Sequence, residues 1–184
     1  MTNSYTSFIQ EIYSEFPALA ETNLTDVTDH NILWTLEEWM KAGHVKYSTS
    51  RKELYRISIL LENYAIKQNA PLLATFEVEK RFKYVEERYI EILKKIPKAW
   101  IVGRFTNPFL QPQPPKGAEV ISCDGTNISD MWIVVTKGPN GPFGLVAEDM
   151  GDGQFSGFFS ISPQVIQKTI DMLNKSLRAN INFS

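Results

Sequence analysis

Apolar residues recur every three or four positions in several stretches of the chain, the spacing that gathers them on one face of an α-helix. In the first stretch, Phe8, Ile12 and Phe16 follow this spacing, and Pro17 then stops the helix. A later stretch places apolar residues on one face and alternating lysines and glutamates on the other. We predict five helices, over about residues 5–16, 31–42, 51–70, 78–96 and 163–177.

Several of these helices carry residues suited to their ends. Ser50 and Glu53 have the spacing of a capping box, in which each side chain satisfies a free backbone N–H of the first turn. Ser162 and Pro163 are typical of an N-cap followed by the first helical residue. Gly43 follows the second helix, where a glycine commonly ends the last turn.

Short apolar runs lie between the later helices, and their length suits buried strands. The first two runs, 71–77 and 100–105, flank a predicted helix, and a strand–helix–strand unit of this length requires a parallel pair. The last three runs are separated by glycine-containing turns, which predict antiparallel hairpins. They cover 131–136, 144–148 and 155–161. The sequence therefore predicts an α/β fold with a mixed β-sheet of about five strands, flanked by helices.

Composition limits the classes of protein to which the chain can belong. Its 184 residues are 43% apolar and 22% charged, which is ordinary for one compact domain. Nineteen basic and 21 acidic residues give a net charge of −2, with no general attraction to nucleic acid or anionic membrane. No secretion signal or stretch of roughly 20 apolar residues is visible, and a single cysteine suits a reducing compartment. We expect a cytoplasmic protein that binds neither nucleic acid nor membrane.

The residues that most often carry chemistry do not form a recognisable site. His30 and His44 are too far apart to share a metal on one helix, and Cys123 has no histidine nearby in the sequence. The glycine-rich stretches 138–144 and 151–157 lack the phosphate-binding pattern and are predicted to be turns. We therefore predict no metal site, no cofactor and no catalytic residue.

A basic stretch with interleaved aromatic residues deserves comparison with nucleic-acid surfaces. Lys80, Arg81, Lys83 and Arg88 lie among tyrosines and a phenylalanine, a mixture that single-stranded nucleic acid favours. Five glutamates in the same stretch cancel the local charge. An ordinary amphipathic helix is the better interpretation.

From about Thr49 to Arg178 the chain resembles the DICT domain family through several blocks in a fixed order. The blocks are S-R-K-E-L-Y-R-I-S-I-L-L-E-N, P-L-L-A-T-F-E-V-E-K-R-F, W-I-V-G-R-F, M-W-I-V-V, G-L-V-A-E-D and Q-F-S-G-F-F-S-I-S-P-Q-V-I. The family usually has Phe-Gln where this chain has Phe76-Glu77. The resemblance divides the chain into an N-terminal helical segment, 1–45, and a DICT-like sensory domain, 46–184.

The resemblance implies a role in signalling. DICT domains occur beside diguanylate cyclases, two-component proteins and transcription factors, largely in cyanobacteria and actinobacteria, and have been connected with light responses. The family offers no established catalytic residue to carry over. We therefore expect a stand-alone, non-enzymatic sensory module that relays a signal by protein–protein contact to a regulatory protein of the cyclase, two-component or transcription-factor type.

Polar residues and one tryptophan within the matched blocks are the candidates for ligand or partner binding. They are Glu62, Glu77, Arg81, Arg88, Trp132 and Glu148. The charged members could instead form structural ion pairs, or meet at one end of the sheet as the cryptic site of an enzyme. A third interpretation is an assembly or adaptor protein for a regulatory or photosynthetic complex, acting through its N-terminal helices.

The N-terminal segment carries a heavy aromatic load that also bears on self-association. Its large apolar residues are Tyr5, Phe8, Ile12, Phe16, Trp34, Trp39 and Met40. These side chains cover either the chain's own sheet or a second copy, because large exposed apolar patches usually mark an interface. A homodimer through the N-terminal helices is one expectation, and completion of the chain's own core is the alternative.

Overall fold

The computed structural model describes residues 7–25, 34–110 and 113–184, which form one mixed eight-stranded sheet with helices on both faces. The strands are β1 (Leu24–Thr25), β2 (His44–Ser50), β3 (Leu72–Val78), β4 (Ala99–Arg104), β5 (Ala118–Ser122), β6 (Met131–Gly138), β7 (Gly141–Gly151) and β8 (Gln154–Ser160). Their order is β1-β2-β8-β7-β6-β3-β4-β5. Neighbours are parallel in β1–β2, β3–β4 and β4–β5, and antiparallel in the other pairs.

Seven α-helices of the described residues divide between the two faces. They are α1 (Phe8–Glu15), α2 (Pro17–Ala20), α3 (Leu36–Ala42), α4 (Arg51–Gln68), α5 (Glu79–Lys83), α6 (Glu86–Leu93) and α7 (Pro163–Leu177). A first core joins α3, α4, α5 and α6 to one face of the sheet. A second core joins α1, α2 and α7 to the other face. Consecutive residues of one strand, such as Leu72 and Leu73, therefore belong to different cores.

The predicted α/β class, the parallel β3–β4 pair and the late hairpins are confirmed, but the count of about five strands is wrong. The strands that the prediction missed are β1, β2 and β5. In β2 the buried residues Val45, Tyr47 and Thr49 alternate with more exposed ones, the period of a half-buried strand. No run of consecutive apolar residues marks this strand, because polar side chains fill the intervening positions.

The single helix predicted over 78–96 is also wrong, since the structure has two short helices there. The break lies at Tyr84 and Val85. Val85 donates its backbone N–H to Phe82 O at 2.9 Å and adopts φ −119°, outside the helical range. The break turns the Val85 side chain into the core and leaves Tyr84 exposed.

The helix caps follow the prediction in part. Ser50 accepts from the backbone N–H of Glu53, and Ser162 accepts from that of Val165, as expected of N-cap residues. The reciprocal half of the predicted capping box is wrong, because the Glu53 carboxylate pairs with Arg56 at 3.2 Å instead. Gly43 ends α3 with φ 80°, a conformation that favours glycine.

Both glycine-rich stretches contain hairpin turns, as predicted. Asp152 and Gly153, between β7 and β8, both have positive φ, which is typical of the two-residue turns that match strand twist. Gly157 has a different role within β8. A Cβ atom there would lie 2.1 Å from Val146 O, so only glycine permits the observed strand approach.

The described part of segment 1–45 is built into both cores. Phe8 and Ile12 of α1 are buried in the second core, and Trp39 of α3 is buried in the first. Tyr5, His30 and Asn31 lie outside the described residues. The two predicted helix starts are too early, because α1 begins after its N-cap Ser7 and α3 after its N-cap Thr35. Among the residues that are described, no helix is long and apolar enough to cross a bilayer.

Candidate functional site

A cavity of 580 Å³ lies between α4, the α5–α6 connection and the ends of β3 and β6. Its origin is a local separation of two neighbouring strands. β3 and β6 pair from Leu72 to Ala74, and β3 then becomes irregular after Thr75. There the Thr75 hydroxyl replaces the backbone ladder, donating to Met131 O and accepting from Ile133 N, both at 2.9 Å. The strands are thus held at a fixed separation, and the cavity opens beyond them.

Aromatic side chains form much of the cavity wall. Trp132 donates its indole N–H to Ser58 Oγ at 3.0 Å, and Ser58 donates in turn to Leu54 O at 2.8 Å. These bonds fix the indole plane against α4. On the opposite side, Phe76 and Tyr89 meet edge to face with ring centroids 5.4 Å apart. The wall is therefore rigid as well as apolar.

Glu62 is the most deeply buried charged group of the cavity. It is 5% exposed, and its two carboxylate oxygens accept from Arg88 Nε at 2.8 Å and from the Tyr89 hydroxyl at 2.7 Å. Burial raises the pKa of Glu62, and these two partners oppose that shift without cancelling it. Burial, together with the adjacent Glu62, also raises the pKa of Tyr89, so its hydroxyl remains a donor.

Glu77 has a less complete set of partners. Its Oε1 lies 3.7 Å from an Arg51 guanidinium nitrogen, an ion pair too long to be a hydrogen bond. This oxygen is buried and has no hydrogen-bond partner among residues 7–25, 34–110 and 113–184. Burial raises the pKa of Glu77; Asp149 and Asp130 add to the shift, whereas Arg51 and Arg81 oppose it. This acceptor is therefore unsatisfied, and a ligand in the cavity that Glu77 lines would reach it by rotation of the carboxylate.

The structure brings together most of the residues predicted to bind a ligand or partner. Glu62, Glu77, Arg81 and Trp132 line the cavity, and Arg88 supports it by its ion pair with Glu62. Glu148 does not join them. It is opposite Met131 in the β6–β7 ladder, on the face of the second core that α1 covers. Strand alternation separates it from Trp132, which packs against the first core on the other face of the sheet.

Sequence reasoning missed other residues of the cavity, including Arg51, Lys52, Tyr55, Tyr84 and Tyr89. Arg51, Lys52 and Tyr55 fall in the first resembling block, so the block drew attention to the right helix. Their spacing along α4 places them on the side that faces β3 and β6. Tyr84 could not be found, because a continuous helix was predicted where the chain breaks.

The histidine and the cysteine considered in the sequence analysis, His44 and Cys123, lie in environments that suit a structural role. His44 Nδ1 and Ser160 Oγ lie 2.8 Å apart between β2 and β8. Burial raises the pKa of the Cys123 thiol, which disfavours the reactive thiolate. Among the described residues, no group of three or more histidine, cysteine or acidic side chains is placed to hold a metal.

Comparisons with known proteins leave the family open. No family model matches the chain, and no curated protein matches it. The resemblance to DICT domains thus stays a prediction. A solved polyphosphate kinase from Porphyromonas gingivalis has a TM-score of 0.49 and 14% identity, over 71% of this chain and 22% of the kinase. The chain spans about a fifth of the kinase's length, and we draw no functional conclusion from this likeness.

Glu77 gives the cavity a measurable dependence on pH. Because burial raises its folded-state pKa, the favourable contribution of the neutral acid is complete below about pH 4.3 and is lost as the pH rises through the folded pKa. We expect Glu77→Gln to gain stability relative to the wild type between about pH 4 and about pH 7. Urea unfolding at both pH values measures this difference, with exposed Glu79→Gln as the control. The raised pKa would be contradicted if the stability of Glu77→Gln relative to the wild type were the same at both pH values or lower at the higher pH.

Proposed function

We propose that this chain is a small-molecule-binding sensory module that reports ligand occupancy by contact with a regulatory protein. The cavity between α4 and the β3–β6 junction carries this proposal. Its volume of 580 Å³ is within the range of about 300–1,000 Å³ that small-molecule sites occupy. Apolar walls with a few convergent polar groups are also typical of such sites.

Exposed aromatic side chains at the cavity are further evidence that it binds a ligand. Tyr84 is 75% exposed and Tyr55 is 43% exposed, and both border the cavity. An exposed tyrosine offers apolar surface together with a hydroxyl that hydrogen-bonds to water or ligand. A ligand that entered between α4 and α5 would cover both rings and gain their contact area.

A binding role fits the acidic groups better than catalysis does. Both oxygens of Glu62 are held by Arg88 and Tyr89, so this carboxylate supports the wall rather than facing a substrate. An enzyme remains the second candidate on one observation. Glu77 combines a raised pKa with a buried, unpartnered oxygen, which are properties of a general acid or base.

The resemblance to the DICT family supports the signalling half of the proposal. It implies a regulatory partner of the cyclase, two-component or transcription-factor type and, in cyanobacteria, a connection with light responses. Affinity capture from a cyanobacterial lysate tests this relay. Repeated experiments that return no regulatory protein would contradict it and would favour an adaptor role or an enzyme.

Filling the cavity tests the binding half. Ala74 lines the cavity from β3, so Ala74→Phe places a ring in the space that a ligand would occupy. We expect a metabolite-library screen to raise the melting temperature of the wild type, and the same hits to leave Ala74→Phe unchanged. A ligand at a hundred times its Kd adds about 2.7 kcal/mol, or roughly 5–10 °C for a chain of this size.

The control is Ala118→Phe, the same substitution on the edge strand β5, away from the cavity. It should keep the wild-type response to ligands. Cooperative unfolding of each variant shows that the fold is intact. A screen without hits on the wild type, or hits that stabilise Ala74→Phe equally, would contradict ligand binding in this cavity.

A further inference from the structure

The charges around the cavity do not balance. Glu62 is compensated by Arg88, and Glu77 is compensated by Arg51, although at 3.7 Å. The cavity is also lined by Lys52 and Arg81. Neither of these two cations makes a hydrogen bond or an ion pair within the part of the chain that the structure describes. The lining residues alone therefore carry one more positive than negative charge, and Asp130 and Asp149 act on Glu77 from outside the lining.

The same wall is shaped for a flat group. The rings of Trp132 and Phe76 are positioned by a hydrogen bond and by edge-to-face contacts, and both are partly exposed where they line the cavity. The Tyr89 ring is buried behind Phe76 and supports it. The Arg51 guanidinium lies 5.8 Å from the Trp132 ring centroid, which holds it in place beside the aromatic wall. Stacking on aromatic and guanidinium planes favours a planar ligand over a branched aliphatic one.

The free oxygen of Glu77 adds a requirement for a donor. A buried carboxylate oxygen without a hydrogen bond is unfavourable by about 1–3 kcal/mol. The Glu77 side chain is 20% exposed, so a small rotation of the carboxylate towards a ligand N–H or O–H would remove that penalty. Arg81 and Glu77 both line this cavity of 580 Å³. One ligand of modest size can therefore meet both groups.

We infer that the ligand of this cavity is a planar organic anion, an aromatic carboxylate, sulfonate or phosphate that carries a hydroxyl or amino donor. This inference rests on the proposed binding function. The ring lies against Trp132 and Phe76, the anionic group meets Arg81 and Lys52, and the donor meets the Glu77 carboxylate.

Three aromatic dyes of different charge, each with a planar fused-ring system, test the sign of the ligand. They are the anion 8-anilinonaphthalene-1-sulfonate, which carries an anilino N–H, the cation thioflavin T and neutral Nile red. We expect the anion to bind the wild type at one site, with increased fluorescence and an affinity that falls as salt is added. The cation should bind at least tenfold more weakly, since like charge at short range is unfavourable by more than about 1.4 kcal/mol.

Arg81→Gln is the decisive variant, and it should weaken binding of the anion by about tenfold. Its matched control is Lys80→Gln, which removes the same charge from the neighbouring residue of α5, exposed and outside the cavity lining. The control should bind as the wild type does. If Arg81→Gln does not unfold cooperatively, Lys52→Gln provides the same test from α4.

The outcomes separate this inference from the function on which it rests. Suppose that thioflavin T or Nile red binds the wild type but not Ala74→Phe, and that the anion binds neither. A binding cavity then stands, and the planar anion is overturned. Binding of the anion that is unaffected by both Arg81→Gln and Lys52→Gln also overturns it. If none of the three dyes binds to the wild type and the metabolite screen is empty, both proposals fail.

Discussion

Trp39→Asp is expected to unfold the whole chain. Trp39 is 4% exposed in the first core, with ring centroids at 4.8 Å from Trp34, 5.5 Å from Phe159 and 6.1 Å from Tyr47. Removing a buried tryptophan lowers the free energy of unfolding by about 3–5 kcal/mol, and a buried carboxylate without a partner lowers it further. Such a loss approaches the total stability of many domains. Circular dichroism and urea unfolding measure it.

The control is Lys41→Asp, which places the same aspartate at an exposed position of α3 and makes a larger change in charge, from +1 to −1. We expect it to change the free energy of unfolding by less than about 1 kcal/mol. The comparison also addresses the homodimer expected from the aromatic load of the N-terminal segment. The mass of one chain is 21.0 kDa. If light scattering gives a larger mass for the wild type, and Trp39→Asp is folded and monomeric, the core role of Trp39 is contradicted and the dimer is supported.

The sequence predicts the elements whose pattern is local and continuous. Helix α4 was recognised from its apolar spacing and its Ser50 cap, and β6 from its apolar run beginning at Met131. Strand β2 was missed because its buried residues are isolated between polar ones, and β5 because it is a partly exposed edge strand with little apolar continuity. The Pro-flanked helix α2 and two-residue β1 are shorter than any periodic signal.

The candidate site was predicted only as a set of residues and not as an arrangement. Its cavity depends on the side chain of Thr75, which bonds to a strand more than fifty residues away and forces β3 and β6 apart. Sequence spacing gives no sign of such a contact. It also gives no sign that Glu148 is on the opposite face, because β7 was recognised over a shorter range and without its pairing register.

The burial of one acid, Glu86, cannot be read from its sequence neighbours. Glu86 lies beside Glu87, and adjacent acids on a helix usually face solvent. In the structure Glu86 is buried, pairs with Lys83 at 2.9 Å and accepts from the backbone N–H of Leu110 at 2.9 Å. The loop after β4 folds back over α6 to make this contact, and only the tertiary structure reveals it.

The second large effect is expected at Glu62, beneath the cavity. In Glu62→Ala, Arg88 loses its ion-pair partner and the buried Tyr89 hydroxyl loses its only acceptor among the described residues. Breaking a buried pair lowers stability by about 3–5 kcal/mol. Because the Arg88 side chain is 33% exposed and can turn to water, we expect the lower part of that range, about 3 kcal/mol. Urea unfolding measures the change.

Glu62→Gln separates the charge from the hydrogen bonds. Burial favours the neutral form of this carboxyl, as its raised pKa indicates, so a neutral amide of the same shape should be tolerated better than alanine. Its carbonyl oxygen can still accept from Tyr89, and we expect about half the loss seen with Glu62→Ala. Glu91→Ala, which breaks the exposed Glu91–Lys94 pair, is the control and should cause no measurable change. If Glu62→Gln is as destabilising as Glu62→Ala, the negative charge itself holds α4 to α6, and the cavity wall depends on an ion pair rather than on the tyrosine hydroxyl.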